Sequence, residues 1–123
     1  MRFIDAMIIT LAFTRNDKSE ECRNAIRKGG IVNALVLAEA HYNIENITKN
    51  KILAKKSIKS ILGRLDVVAV DQNLLFESLR RAEKYNLKIF DLIHYTTALL
   101  KGCSSVLSYD KHFNNLEIKR EEP

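Results

Sequence analysis

The chain has 123 residues, 46% hydrophobic and 28% charged, with a formal net charge of +5 and an isoelectric point near 9.3. That length suits one domain, residues 1–123, around one core, and the apolar content argues against disorder. The basic balance admits an anionic partner, while no apolar run approaches the ~20 residues of a membrane-spanning helix.

Arg2–Asp5 reads as a short strand with Asp5 at its C-terminal end, and Met7–Phe13 as one or two helical turns, too short and interrupted for a signal peptide. Asp17 is a candidate N-cap with Glu20 at capping-box spacing, opening a helix Lys18–Lys28 that Gly29-Gly30 stops. Ile31-Val32 reads as a second strand and Asn33 as the cap of a helix Ala34–Asn46. On that helix Leu35, Ala38, Glu39 and Tyr42 share a face by their spacing, which puts Glu39 on an apolar stripe.

Lys51–Leu62 is a further helix, with Ala54, Ile58, Ile61, Leu62 and Leu65 as its expected buried stripe and Gly63 at its end. Lys51, Lys55 and Lys59 recur on its other face, within a stretch from Lys49 to Arg64 that has six basic residues and no acid. That stripe reads either as a solvated helix face or as a surface for a phosphate backbone. Val67–Val70 reads as a buried strand. Asp71 or Asn73 caps a helix Leu74–Tyr85 with Leu75, Leu79 and Ala82 inward, and Asn86 is a candidate left-handed C-cap. A helix Asp91–Lys101 is apolar nearly all round, hence central, and Gly102 ends it. Ser105–Tyr109 is a strand ending on Asp110, Leu116–Lys119 a last edge strand, and the tail is expected to fray. Alternating strands and helices imply an α/β fold, a three-layer α/β/α sandwich on a mainly parallel sheet. Ligands of such sheets gather beyond the C-terminal strand ends.

Four acids stand out: Asp5, Glu39, Asp91 and Asp110. Each alone has an ordinary explanation as a cap, a turn residue or a boundary side chain. Two end strands, one opens a buried helix and one faces an apolar stripe, so an α/β sandwich can bring them to one edge. Four carboxylates do not ionise together without a counterion, and a hard divalent cation such as Mg²⁺ or Mn²⁺ suits oxygen donors. The histidines lack ligand spacing: His94 is read first as a satisfied interior histidine and second as a partner of the acids, and His112 as a surface residue. Cys22 and Cys103 fit neither a disulfide nor a metal pattern, have no adjacent histidine for thiol catalysis, and read as reduced buried thiols of an intracellular protein. No glycine-rich phosphate loop is present, and Met7 stands where aspartyl phosphatases need a second acid.

Ile4-Asp5, Glu39 within LVLAEAHY, Asp91 within FDLIHYTTAL and Ser108-Tyr109-Asp110 resemble, in order and spacing, the four acidic signatures of PIN domains. These are small metal-dependent ribonucleases that include the VapC-type toxins, and the resemblance covers essentially the whole chain. It implies a PIN-like fold and an Mg²⁺- or Mn²⁺-dependent endoribonuclease in which Asp5, Glu39, Asp91 and Asp110 hold the metal and carry catalysis, with Ser108 supporting. It further implies RNA as substrate, gripped by basic residues for which Lys111, Lys51, Lys55 and Lys59 are candidates, a cytoplasmic setting, a homodimer and, for a toxin, a small antitoxin partner. One position departs. The family usually has Asp-Thr-Asn or Asp-Ala-Asn where this chain has Asp5-Ala6-Met7, and methionine lacks the amide's hydrogen-bonding groups. Met7 is the feature that favours the alternative, a PIN-like RNA-binding or assembly module with weak or no catalysis.

Overall fold

Short apolar strands that are covered on both faces pair in parallel, and the computed structural model, which describes residues 1–123, is built on three such strands flanked by two charged edge strands. β1 (Arg2–Ile4), β2 (Ile31–Asn33), β3 (Asp66–Val68), β4 (Ser105–Leu107) and β5 (Lys119–Glu121) form one sheet in the order β3-β2-β1-β4-β5. All four pairings are parallel, with Phe3 opposite Ile31 and Ile4 opposite Leu107. The three inner strands supply the fully buried Phe3, Ile4, Val32 and Val106, whereas both edges carry charge. Charged edges are what keeps exposed ladder groups from pairing with other chains.

Six helices cover the sheet: α1 (Ala6–Ala12), α2 (Ser19–Arg27), α3 (Ala34–Thr48), α4 (Lys51–Leu62), α5 (Gln72–Leu79) and α6 (Ile89–Leu100). The connections from β1 to β2 to β3 step one way across the sheet and carry α1 to α4. The connection from β3 to β4 steps back and carries α5 and α6. Parallel crossovers are right-handed, so opposite directions place the two helix groups on opposite faces. The helices pack in those groups, α1 against α2 and α3, α3 against α4, and α5 against α6. The reversal falls between β1 and β4, where an open α/β sheet leaves a crevice at its C-terminal edge. α6 is buried without interruption from Leu92 to Ala98, as its apolar composition requires. No helix is long and apolar enough to cross a membrane.

Several sequence expectations are corrected here. The strand expected at Val67–Val70 is the exposed edge β3, Asp66–Val68. The last strand lies at Lys119–Glu121, not Leu116–Lys119, so the tail pairs through Glu121 with Leu107 instead of fraying. α2 is not capped by Asp17. The Asn16 side chain accepts from the Lys18 N–H, and the Ser19 hydroxyl donates to the Thr14 and Asn16 carbonyls. α5 ends at Leu79, because the following N–H groups of Arg81 and Ala82 donate three residues back, to Ser78 and Leu79, in tightened turns. It buries Leu74 and Ser78, while Leu75 and Leu79 are exposed, and Asn86 is not left-handed. Leu62 of α4 is likewise exposed, and α3 buries Val36, Leu37, Ala40 and Ile44 rather than the stripe through Leu35 and Tyr42.

The turn from α2 into β2 is set by glycine. Gly30 has φ +152°, and a Cβ there would lie 2.8 Å from the Arg2 carbonyl oxygen and 3.0 Å from Ile4 Cδ1. The Arg2 guanidinium also ties β1 to the end of α2 by donating to the Ala25 and Gly29 carbonyls at 2.8 and 3.1 Å. Gly30→Ala adds both backbone strain and a clash with a central strand, and should cost about 2–4 kcal/mol. Gly63→Ala meets nothing within 4 Å and should leave the urea midpoint near that of the wild type. Equal midpoints for the two variants would refute this account of the turn.

Candidate metal and active site

Asp5 leaves the end of β1 already constrained. Its backbone N–H donates to the Leu107 carbonyl at 3.0 Å, continuing the β1–β4 pairing. Its Oδ1 accepts from the Ala6 N–H at 2.8 Å, capping α1, and its Oδ2 accepts from the Ser108 hydroxyl at 2.6 Å. The same Ser108 oxygen accepts from the Asp110 N–H at 2.9 Å. One buried hydroxyl therefore fastens the acid after β1 to the loop after β4. Asp5 is 8% exposed. Burial raises its pKa above the usual aspartate value, the Ser108 hydrogen bond opposes that, and the negative charge of Glu39 adds to it.

Asp110 caps a single 3₁₀ turn, Lys111–Phe113, by accepting from the His112 N–H at 2.9 Å. The imidazole Nδ1 of His112 lies 2.9 Å from the same carboxylate. Asp91 sits in the first turn of α6 rather than at its cap, which Lys88 occupies without a side-chain bond. Burial raises the Asp91 pKa, and the charges of Asp5, Asp110 and Glu39 raise it further. Unlike the other three acids, Asp91 accepts no hydrogen bond that would offset this. Ligand atoms of Asp91, Asp110 and His112 all lie within 4.8 Å of one another. Glu39 projects from α3, where it is half-buried, and its Oε1 lies 2.6 Å from Nε2 of the buried His94.

The four acids line one cleft of about 370 Å³ at the switch in strand order, together with Met7, Asn43 and Tyr109. Lys111 is exposed beside Asp110. Lys51, Lys55 and Lys59 are exposed on α4 and do not line the cleft. Two contributors, Asn43 and Tyr109, were not singled out from sequence. Asn43 follows Glu39 by one helical turn, a spacing that could have revealed it. Its amide donates to the Thr10 hydroxyl at 3.3 Å. Tyr109 lies between Ser108 and Asp110. Its hydroxyl donates to Glu21 at 2.9 Å, and the Lys18 ammonium stands 4.4 Å over its ring. Both readings of His94 meet in the structure, where it is a satisfied interior histidine whose partner is Glu39, and His112 is a surface histidine whose ring also meets Asp110.

The donors in this cleft are hard oxygens, with one imidazole at the rim. They repel one another, and Asp91, which feels the charge of the other three, has no hydrogen-bond donor of its own. That chemistry fits an oxygen-preferring divalent cation.

A family model described as PIN domain matches residues 2–119. No curated relative matches the chain in sequence. Among solved structures, the chain is similar to Mycobacterium tuberculosis VapC20, a sarcin–ricin loop cleaving toxin, at 14% identity over 100% of both chains with TM-score 0.82. A toxin–antitoxin complex from Klebsiella pneumoniae matches at 14% identity, covering 95% of this chain and 93% of that one, TM-score 0.75. VapBC2 from Rickettsia felis, bound to a promoter DNA fragment, matches at 16% identity, covering 98% and 97%, TM-score 0.70. At these identities the likeness is one of fold.

An aspartate whose pKa is raised on folding keeps a proton that the unfolded chain gives up. Its stabilising share is whole below the ordinary value of 3.8 and is lost as pH rises through the raised one. In EDTA, Asp91→Asn should therefore raise the melting temperature at neutral pH by a few degrees. The gain over wild type should vanish below pH 3.8. Taking the difference between the two proteins cancels groups such as Glu77, whose pKa the Arg80 hydrogen bond lowers. A variant that melts below wild type at neutral pH would contradict the electrostatic reading of the cleft.

Proposed function

This chain belongs to the PIN domain family, and from that premise we propose that it is an Mg²⁺- or Mn²⁺-dependent endoribonuclease, the toxin of a toxin–antitoxin pair. The observation that carries this reading is the convergence of Asp5, Glu39, Asp91 and Asp110, from four separate elements, on one cleft. These four would hold the cation. When bound, it supplies the positive charge that activates water and stabilises a phosphodiester as charge develops on it.

The protein's own part is placement. Ser108 and the Ala6 N–H hold both oxygens of Asp5, so this carboxylate presents a fixed face to the cleft. Asp110 is held by the turn that it caps. Lys111, next to Asp110, would grip the RNA backbone, and the stripe Lys51, Lys55 and Lys59 would meet RNA only outside the cleft. The solved complexes of similar fold support an antitoxin partner. Tyr42 and Phe90 are more than half exposed and line one apolar hollow with Leu35 and Ala38, which supports a protein partner or a homodimer covering that part of the surface. The free buried thiols Cys22 and Cys103 are consistent with a cytoplasmic setting.

A second reading is an RNA-binding module without catalysis, and the observation in its favour is that Met7 lines the cleft. Structured RNAs, a sarcin–ricin loop oligonucleotide among them, incubated with purified protein and Mn²⁺ separate the two. The enzyme predicts cleavage that EDTA abolishes and that Asp5→Asn and Asp91→Asn each reduce by about 100-fold or more. RNA retained on the protein with no metal-dependent cleavage would establish the second reading in its place.

A further inference from the structure

His94 is fully buried beneath the cleft, and the groups around it fix where its ring proton lies. Asn33 ends β2 and caps α3, with its Oδ1 accepting from the Val36 N–H at 2.8 Å. That bond decides which end of the amide is oxygen. The Asn33 NH₂ group must then point the other way, where it lies 3.1 Å from His94 Nδ1 and 3.0 Å from the Thr97 hydroxyl. The Thr97 hydroxyl gives its own hydrogen to the Ile93 carbonyl at 2.8 Å, so it receives one from Asn33. His94 Nδ1 faces a donor as well and offers its lone pair. The ring N–H is therefore on Nε2, 2.6 Å from Glu39 Oε1.

We propose that Asn33 and His94 form a positioning relay that holds the Glu39 carboxylate in place for the cation, with the imidazole tautomer set by the N-cap of α3. The proposal rests on the reading of the cleft as a cation site. Two backbone groups, the Val36 N–H and the Ile93 carbonyl, orient the whole chain of bonds. Asn33 and His94 are both 0% exposed, so no water competes for either. Turning the Asn33 amide over would set donor against donor at Val36. The relay ends on one oxygen of a half-exposed glutamate, whose rotamer freedom it restricts. Outer partners of this kind orient ligating carboxylates, and their loss weakens metal binding about 10- to 100-fold.

The test combines the imidazole ¹⁵N–¹H spectrum with calorimetric Mn²⁺ titration of the full chain. His94 should appear as the Nε2–H tautomer, its signals identified by their loss in His94→Gln. His94→Leu keeps bulk but removes the donor, and should weaken Mn²⁺ binding about 10- to 100-fold. His94→Gln places an amide N–H near the Nε2 position and should stay within about threefold of wild type. An Nδ1–H tautomer, which the spectrum reports whether or not the leucine variant folds, would overturn the relay. So would a folded His94→Leu with wild-type Mn²⁺ affinity. If the wild-type chain binds no Mn²⁺, the cation reading itself falls and takes the relay with it.

Discussion

Like charges gathered in a partly buried cleft repel one another and lose hydration, and this is the constraint that the surrounding structure answers. Three of the four acids are supplied with donors from the fold. Asp5 has a backbone N–H and the Ser108 hydroxyl, Asp110 has the backbone and ring of His112, and Glu39 has His94. Asp91 has only its place in the first turn of α6, where the helix dipole favours negative charge. The charge of the cleft is therefore least compensated by hydrogen bonds at Asp91, which feels the charges of all three other acids. A cation would supply from outside what the chain leaves unsupplied there.

The strand order makes that gathering feasible. Asp5 and Asp110 follow the two strands between which the crossover direction reverses, so no helix closes over the sheet's edge between them. Ser108 exploits this adjacency by bonding across it. The two acids from helices come from opposite faces, Glu39 from α3 and Asp91 from α6, and meet at the same edge. Each of the three layers thus contributes at least one carboxylate.

Much of this was legible because the acids at β1, α6 and β4 flank segments apolar enough to be buried on any α/β reading. Glu39 was reached by a less secure route. Its spacing placed it with Leu35, Ala38 and Tyr42 on a supposed core face, but the core face carries Val36, Leu37, Ala40 and Ile44. α3 is apolar on both sides, and periodicity alone does not say which side meets the sheet. α5 misled for the same reason. The edge strands were displaced because DVV and KRE carry no alternation of their own; their pairing is imposed by β2 and β4. The bond between Asn33 and His94 spans 61 residues and joins two elements whose sequences give no hint of contact.

The departure at Met7 reads differently once the cleft is assembled. Judged along the chain, methionine removes an amide from the neighbourhood of Asp5. In three dimensions Asn43 brings an amide into the same cleft from α3, one turn beyond Glu39. Its NH₂ group donates to Thr10, on the same short helix as Met7, which leaves the amide oxygen as the part still unengaged. Hydrogen-bonding capacity in a site is a property of what the fold assembles, not of one motif. Loss of a polar group at Met7 therefore carries less weight against catalysis than the local sequence assigns it.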